Sequence, residues 1–159
     1  MYRTVQDFLT DWEKTSNGTL KVLEALTDES LDQAIVEGHN TLGWLGWHIA
    51  TSTVFFSKLV GIDLNSTENP NDVPKEANKI VETYKKYAED LKQKVEMLLT
   101  DEKMLEEVAG IGQPTPRGAL LRTLVDHTIH HRGQMTVLLR QAGLQVPSVM
   151  GPTKEDQMK

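Results

Sequence analysis

Four stretches of the chain carry apolar residues at steps of three and four, the repeat that puts side chains on one face of an α-helix. The first presents Val5, Phe8, Trp12, Thr19, Val22 and Leu26. The second presents Leu42, Leu45, Ile49, Phe56 and Leu59, with Asn40 as the expected N-cap and Gly61 as the stop. The third is the clearest, with Ala77, Ile80, Tyr84, Tyr87, Leu91, Val95 and Leu98 in one stripe. On its outer face Glu82–Lys86 and Asp90–Lys94 have the spacing of i,i+4 ion pairs. The fourth is expected to open at Thr115-Pro116, a capping residue followed by proline at the first helical position. It runs through Leu120, Leu124, Met135, Leu138 and Leu139 and stops at Gly143. No segment alternates convincingly in the manner of a strand.

The connections are 27–40, with a short acidic stretch, 61–72, rich in Asn, Pro, Asp and Ser, and 100–115, with Gly110, Gly112 and Pro114. None is a low-complexity linker and there is no internal repeat. The expectation is a single all-α domain over 1–159, folded as a four-helix bundle. The stretch after Gly143, with Pro147 and Pro152, is expected to run extended across the bundle or a partner.

Composition narrows the class. At 159 residues, 38% hydrophobic and 25% charged, the chain can bury a full core and has the balance of a soluble globular protein. It has no cysteine, which removes disulfides, thiolate metal sites and a cysteine nucleophile together and fits a reducing compartment. No apolar run reaches the ~18–20 residues of a membrane span, and the N-terminus MYRTVQDFLTDW is polar and amphipathic, unlike a secretion signal. A cytoplasmic protein with no membrane partner is expected. The net charge is −6, and the lysines of 75–94 are interleaved with Glu82, Glu89 and Asp90, so no basic stripe exists for phosphate neutralisation. Nucleic acid is not an expected partner.

The candidate chemistry lies with histidine. All five histidines fall in or beside the second and fourth helical segments. His127 and His131 are four apart, about one turn and roughly 6 Å of rise, within reach of a single ion with ~2.1 Å bonds to each imidazole. They belong to the inward row 120, 124, 127, 131, 135, 138. His48 lies in the row Leu45, His48, Ser52, Phe55, Leu59 of the second helix. A lone histidine on an apolar face is more often a hydrogen-bonded core residue, but three from two helices can form a three-nitrogen site. With no evident fourth protein ligand, a position is left for water or substrate, as in catalytic sites.

The neighbours are weaker candidates. His130 is assigned the rim of the site, with Asp126 spaced to pair with it, and no inward carboxylate competes with it as a proton carrier. His39 is expected to be structural or a pocket edge, and Gly133 to permit close helix packing. Arg132 and Gln134 either orient a ligand or make a subunit contact. Trp44 and Trp47 are expected in the core, an aromatic wall beside the ion being the alternative. Di-iron bundles need inward Glu-x-x-His pairs, which do not occur, and a zinc protease needs glutamate where Thr128 follows His127.

The run His127-Thr128-Ile129-His130-His131-Arg132-Gly133-Gln134 is similar to the H-x-x-H-H-R-G-Q signature of the DinB family, in the DinB/YfiT-like superfamily. Leu45-Gly46-Trp47-His48-Ile49-Ala50 and the tail Val146-Pro147-Ser148-Val149-Met150-Gly151-Pro152 resemble it as well. The resemblance implies an up-up-down-down-type bundle, often a homodimer, with one divalent ion, nickel or zinc, on His48, His127 and His131. It also implies a metal-dependent enzyme acting on small molecules, either a transferase using a low-molecular-weight thiol or a hydrolase. A non-enzymatic metal-binding or interaction protein is the remaining alternative. The tail Thr153-Lys154-Glu155-Asp156-Gln157 lacks the tryptophan often found there in relatives, so no pocket role is carried over to it.

Overall fold

The computed structural model describes residues 1–158. In chain order the elements are α1 (Val5–Glu24), a 3₁₀ turn (Asp28–Ser30), α2 (Leu42–Leu59), α3 (Ala77–Leu98), α4 (Asp101–Leu105), β1 (Glu107–Val108), β2 (Thr115–Pro116), α5 (Arg117–Gln141) and α6 (Lys154–Gln157). The four long helices are the four periodic segments, and the fold is the expected all-α bundle. No described helix is long and apolar enough to cross a membrane.

The stripes account for the core. Phe8, Trp12, Val22, Leu42, Ile49, Ile80, Tyr84, Leu91, Leu124 and Leu139 are all buried. Burial of large aromatics needs an acceptor for any N–H they carry. Trp12 Nε1 donates to the carbonyl of Ala88 at 3.0 Å and Trp47 Nε1 to that of Asn69 at 2.9 Å. The row through His48 is less uniform, since Phe55 is half exposed.

Contacts at the helix ends give the topology. Tyr2 N donates to Gly118 O, so α1 and α5 start at the same end. Val5 N donates to Asp101 Oδ1, which brings the start of α1 beside the end of α3. Arg117 Nε donates to Val60 O, which brings the end of α2 beside the start of α5. Gly46, early in α2, lies against Leu23 at the end of α1 and Ile80 early in α3. The order is therefore up-down-down-up, not the up-up-down-down type expected. α1 and α2 each pack chiefly against α3 and α5, so α2 and α5 form an antiparallel pair.

Several boundaries differ from expectation for local reasons. The N-cap of α2 is Thr41, not Asn40, because the Thr41 hydroxyl accepts from Trp44 N at 3.1 Å while Thr41 also bridges Ala34. Thr115-Pro116 does not begin α5. The pair is drawn into a two-residue antiparallel ladder with Glu107–Val108, and the Thr115 hydroxyl donates to Gln113 O instead of capping. On α3 neither expected pair forms: Lys86 pairs with Asp90, and Lys94 donates to Asp63 O. After Gly143 the chain crosses α1 and α5, burying Val146 and setting Val149 against Gly18. It then reaches α6, held by Arg140–Glu155 at 2.7 Å.

Candidate metal centre

The antiparallel α2/α5 pair brings His48 level with His127 and His131. His48 Nε2 lies 3.1 Å from His127 Nε2, and His131 Nε2 lies 3.2 Å from His127 Nε2. Ligand atoms of all three lie within 4.8 Å of one another, and no carboxylate or fourth histidine joins the group among the described residues. Nitrogens bound to one ion at ~2.1 Å stand roughly 3.0 to 3.4 Å apart. The three histidines thus form a group that could hold a metal ion.

The surroundings prepare these rings for that use. His131 Nδ1 is 2.8 Å from Gln134 Oε1; the amide oxygen accepts, so Nδ1 carries the proton and Nε2 keeps its lone pair. Trp44 stacks on His48 with centroids 4.6 Å apart and planes 12° from parallel. Phe56 flanks His127 at 5.7 Å. His127 Nδ1 is buried without a hydrogen-bond partner. Leaving that buried nitrogen unsatisfied costs about 1–3 kcal/mol.

Burial, first of all, lowers the pKa of each ring. For His127 burial is joined by the neighbouring histidines and takes it down to about 4. His48 is lowered by burial and by His131, and His131 by burial and His130, against the Gln134 hydrogen bond. The three are therefore neutral near pH 7, the form that binds a cation.

The remaining candidates sort themselves around this centre. His130 is exposed, its ring 4.9 Å from that of His131 and outside the three-nitrogen group. Asp126 does not pair with it: both carboxylate oxygens accept from Arg122, at 3.0 and 2.6 Å. His39 is exposed at the edge of two cavities. Trp47 is core, whereas Trp44 is the aromatic wall. Arg132 turns to α1 instead of the histidines, only 5% exposed, and donates to Thr15 O at 3.0 Å and to Thr19 Oγ1 at 3.3 Å. Gln134 orients a candidate ligand. Gly133 does not serve close packing, since nothing lies within 4 Å of where its Cβ would be.

Two cavities lie near the centre, reaching it through Trp44 and Gln134 and not lined by the three histidines themselves. One, of about 550 Å³, is lined by Trp44 together with Asp28, Asp32, His39 and Lys75. The other, of about 240 Å³, continues past Gln134. Neither was legible in the sequence, because the 33–41 loop that divides them has no periodicity.

Comparison with known proteins identifies the family and the fold. The DinB family model matches residues 1–158. The uncharacterized protein YrdA of Bacillus subtilis strain 168 is 38% identical over 159 residues, 100% of this chain and 95% of that protein. The crystal structure of a DinB-like protein from Bacillus cereus ATCC 10987 superposes with a TM-score of 0.90 at 40% identity, covering 94% of this chain and 99% of the other. The DinB-like protein YjoA from Bacillus subtilis shares the fold, with a TM-score of 0.71 at 21% identity over 92% of this chain and 99% of that one. With a family match along residues 1–158 and a relative 38% identical over all 159 residues, this chain belongs to the DinB family.

Proposed function

We propose that this protein is a metal-dependent enzyme acting on small molecules, with one divalent ion, nickel or zinc, held by His48, His127 and His131. The observation that carries the reading is the convergence of three Nε2 atoms, with 3.1 and 3.2 Å between neighbours. Such an ion, when bound, supplies Lewis acidity and lowers the pKa of a coordinated water or thiol. The chain's own residues do the rest. Burial keeps the imidazoles neutral, Gln134 fixes the His131 tautomer, and the Trp44 and Phe56 rings limit how His48 and His127 can turn. Three protein ligands leave a position for the reactant.

The favoured reaction is transfer to a low-molecular-weight thiol, by analogy with superfamily relatives. A chain without cysteine leaves the thiol to a cosubstrate. Hydrolysis is the second reading, supported by the exposed His130 ring beside His131, placed to take a proton at the rim. A homodimer belongs to the same proposal; Ile129 and Met150 offer exposed apolar surface for a second copy.

Metal analysis of protein purified without chelators tests the site. About one nickel or zinc ion per chain is expected, lost in His127→Ala and His131→Ala; unchanged metal content in both variants sinks the ligand assignment. Screening the metal-loaded protein with low-molecular-weight thiols and electrophiles, then with esters and amides, separates transferase from hydrolase. Stoichiometric metal with no turnover in either screen favours the non-enzymatic alternative.

A further inference from the structure

The ligand row of α5 does not end at His131. Gln134 and Leu138 continue it by steps of three and four, and on α2 Leu45 lies three residues before His48. Because α2 and α5 are antiparallel, going forward from His131 and backward from His48 leads along one groove in one direction. The cavity of about 240 Å³ occupies that groove, with Gln134 in its lining. It begins about one helical turn, some 5 Å, beyond the histidines and ends about two turns, ~10 Å, beyond them.

Apart from Gln134, Asn40 and the imidazole of His39, the lining of this cleft is apolar. Leu45 and Leu138 are buried, while Ile35 and Val137 line it from the exposed side, at 55% and 47% exposure. No Asp, Glu, Lys or Arg lines it, in a chain that is 25% charged. The cavity beside Trp44 differs, since Asp28, Asp32 and Lys75 line it. At the ~30 Å³ that a water occupies in the liquid, 240 Å³ holds about eight water-sized groups.

We propose that this cleft is the specificity pocket of the enzyme, and that its substrate carries a metal-binding head and an uncharged apolar arm of about four to eight carbons. The head sits at the open coordination position and the arm passes Gln134 to lie on Leu45 and Leu138. The proposal rests on the metal reading above and adds the class of substrate. Gln134 has two tasks in this arrangement, holding the His131 ring and separating head from arm.

Alkyl hydroxamates, whose head chelates zinc, are the probe. Titration calorimetry with the zinc-loaded protein compares acetohydroxamate with homologues of four, six and eight carbons. Affinity is expected to rise up to roughly fourfold per buried methylene and to level off when the arm outgrows the cleft. Val137→Asp and Ile35→Asp, both at exposed positions, are expected to flatten that rise while acetohydroxamate binds as before. In metal-free protein, 1-hexanol, which lacks a chelating head, is expected to shift the methyl NMR signals of Ile35 and Val137. Acetohydroxamate binding with no dependence on arm length overturns the proposal and leaves the metal site standing. A protein that holds zinc but binds no hydroxamate overturns both this proposal and the open coordination position. One that holds no zinc overturns the ligand assignment, and 1-hexanol that leaves the methyl signals unmoved overturns the cleft itself.

Discussion

Gly118 and Gly133 belong to the same helix and stand under opposite constraints. A Cβ on Gly118 would lie 1.9 Å from the carbonyl oxygen of Tyr2, and that segment is tied down because Tyr2 N donates to Gly118 O at 3.0 Å. Gly118→Ala must therefore displace the N-terminal strap and is expected to cost on the order of 1–3 kcal/mol. Gly133 has open space where its Cβ would be, so Gly133→Ala is expected to add about 0.5–1 kcal/mol through helix propensity alone. Urea denaturation of the two variants should move the midpoint in opposite directions; a shift of the same sign would contradict this account. Gly133 was expected to permit close packing and does not, because what a missing side chain makes room for depends on other elements. Histidines were more legible. His131 continues the Leu124–His127 row and His130 does not; His131 joins the three-nitrogen group and His130 is exposed outside it. Gln134 stayed ambiguous because its role depends on which rotamer reaches His131 Nδ1.

At the scale of elements, periodicity located all four long helices and Gly61 and Gly143 marked the stops of α2 and α5, but the starts of those two helices differ from expectation. A stripe records which face is buried, whereas a boundary depends on which side chain captures the first free N–H groups. Asn40 and Thr41 are both good caps by residue type, and the bridge between Ala34 and Thr41 selects Thr41. Thr41→Ala is expected to cost about 1 kcal/mol and Asn40→Ala only a few tenths, measurable as a difference in thermal midpoint. The α2/α5 pair also carries a pH dependence. His48, His127 and His131 all have pKa values lowered in the fold, His127 to about 4, against about 6.5 unfolded. Between these values the unfolded chain binds more protons, so stability falls as pH falls. Metal-free protein should keep its full stability above about pH 7, lose it progressively below pH 6.5 and level off near pH 4 in this contribution. Chelator-treated protein melted at half-unit pH steps checks the window; a loss centred above pH 7 would assign it to other groups.

For the whole molecule, what the sequence could not supply was the order of the helices in space. Four amphipathic stripes are compatible with several bundle topologies, and the choice is made by end-to-end contacts such as Arg117 Nε with Val60 O. That choice makes α2 and α5 antiparallel neighbours, and only then does His48, 79 positions before His127, join the His127/His131 pair in one group. Metal binding should therefore stabilise the whole fold and not one helix, because the three donors come from two helices that meet only when the bundle is formed. An ion that binds the folded state alone adds RT ln(1 + [M]/Kd), about 2.7 kcal/mol at a hundredfold excess over Kd. For a domain of this size that corresponds to several degrees in Tm. Zinc or nickel added at pH 7.5 should raise the melting temperature of the native chain as one cooperative transition, with a smaller shift at pH 5.5 where protons compete for the imidazoles. His127→Ala should remove the shift while melting, metal-free, close to the native protein, since it also deletes a buried nitrogen that has no partner. An equal metal-induced shift in His127→Ala would place the ion elsewhere on the protein.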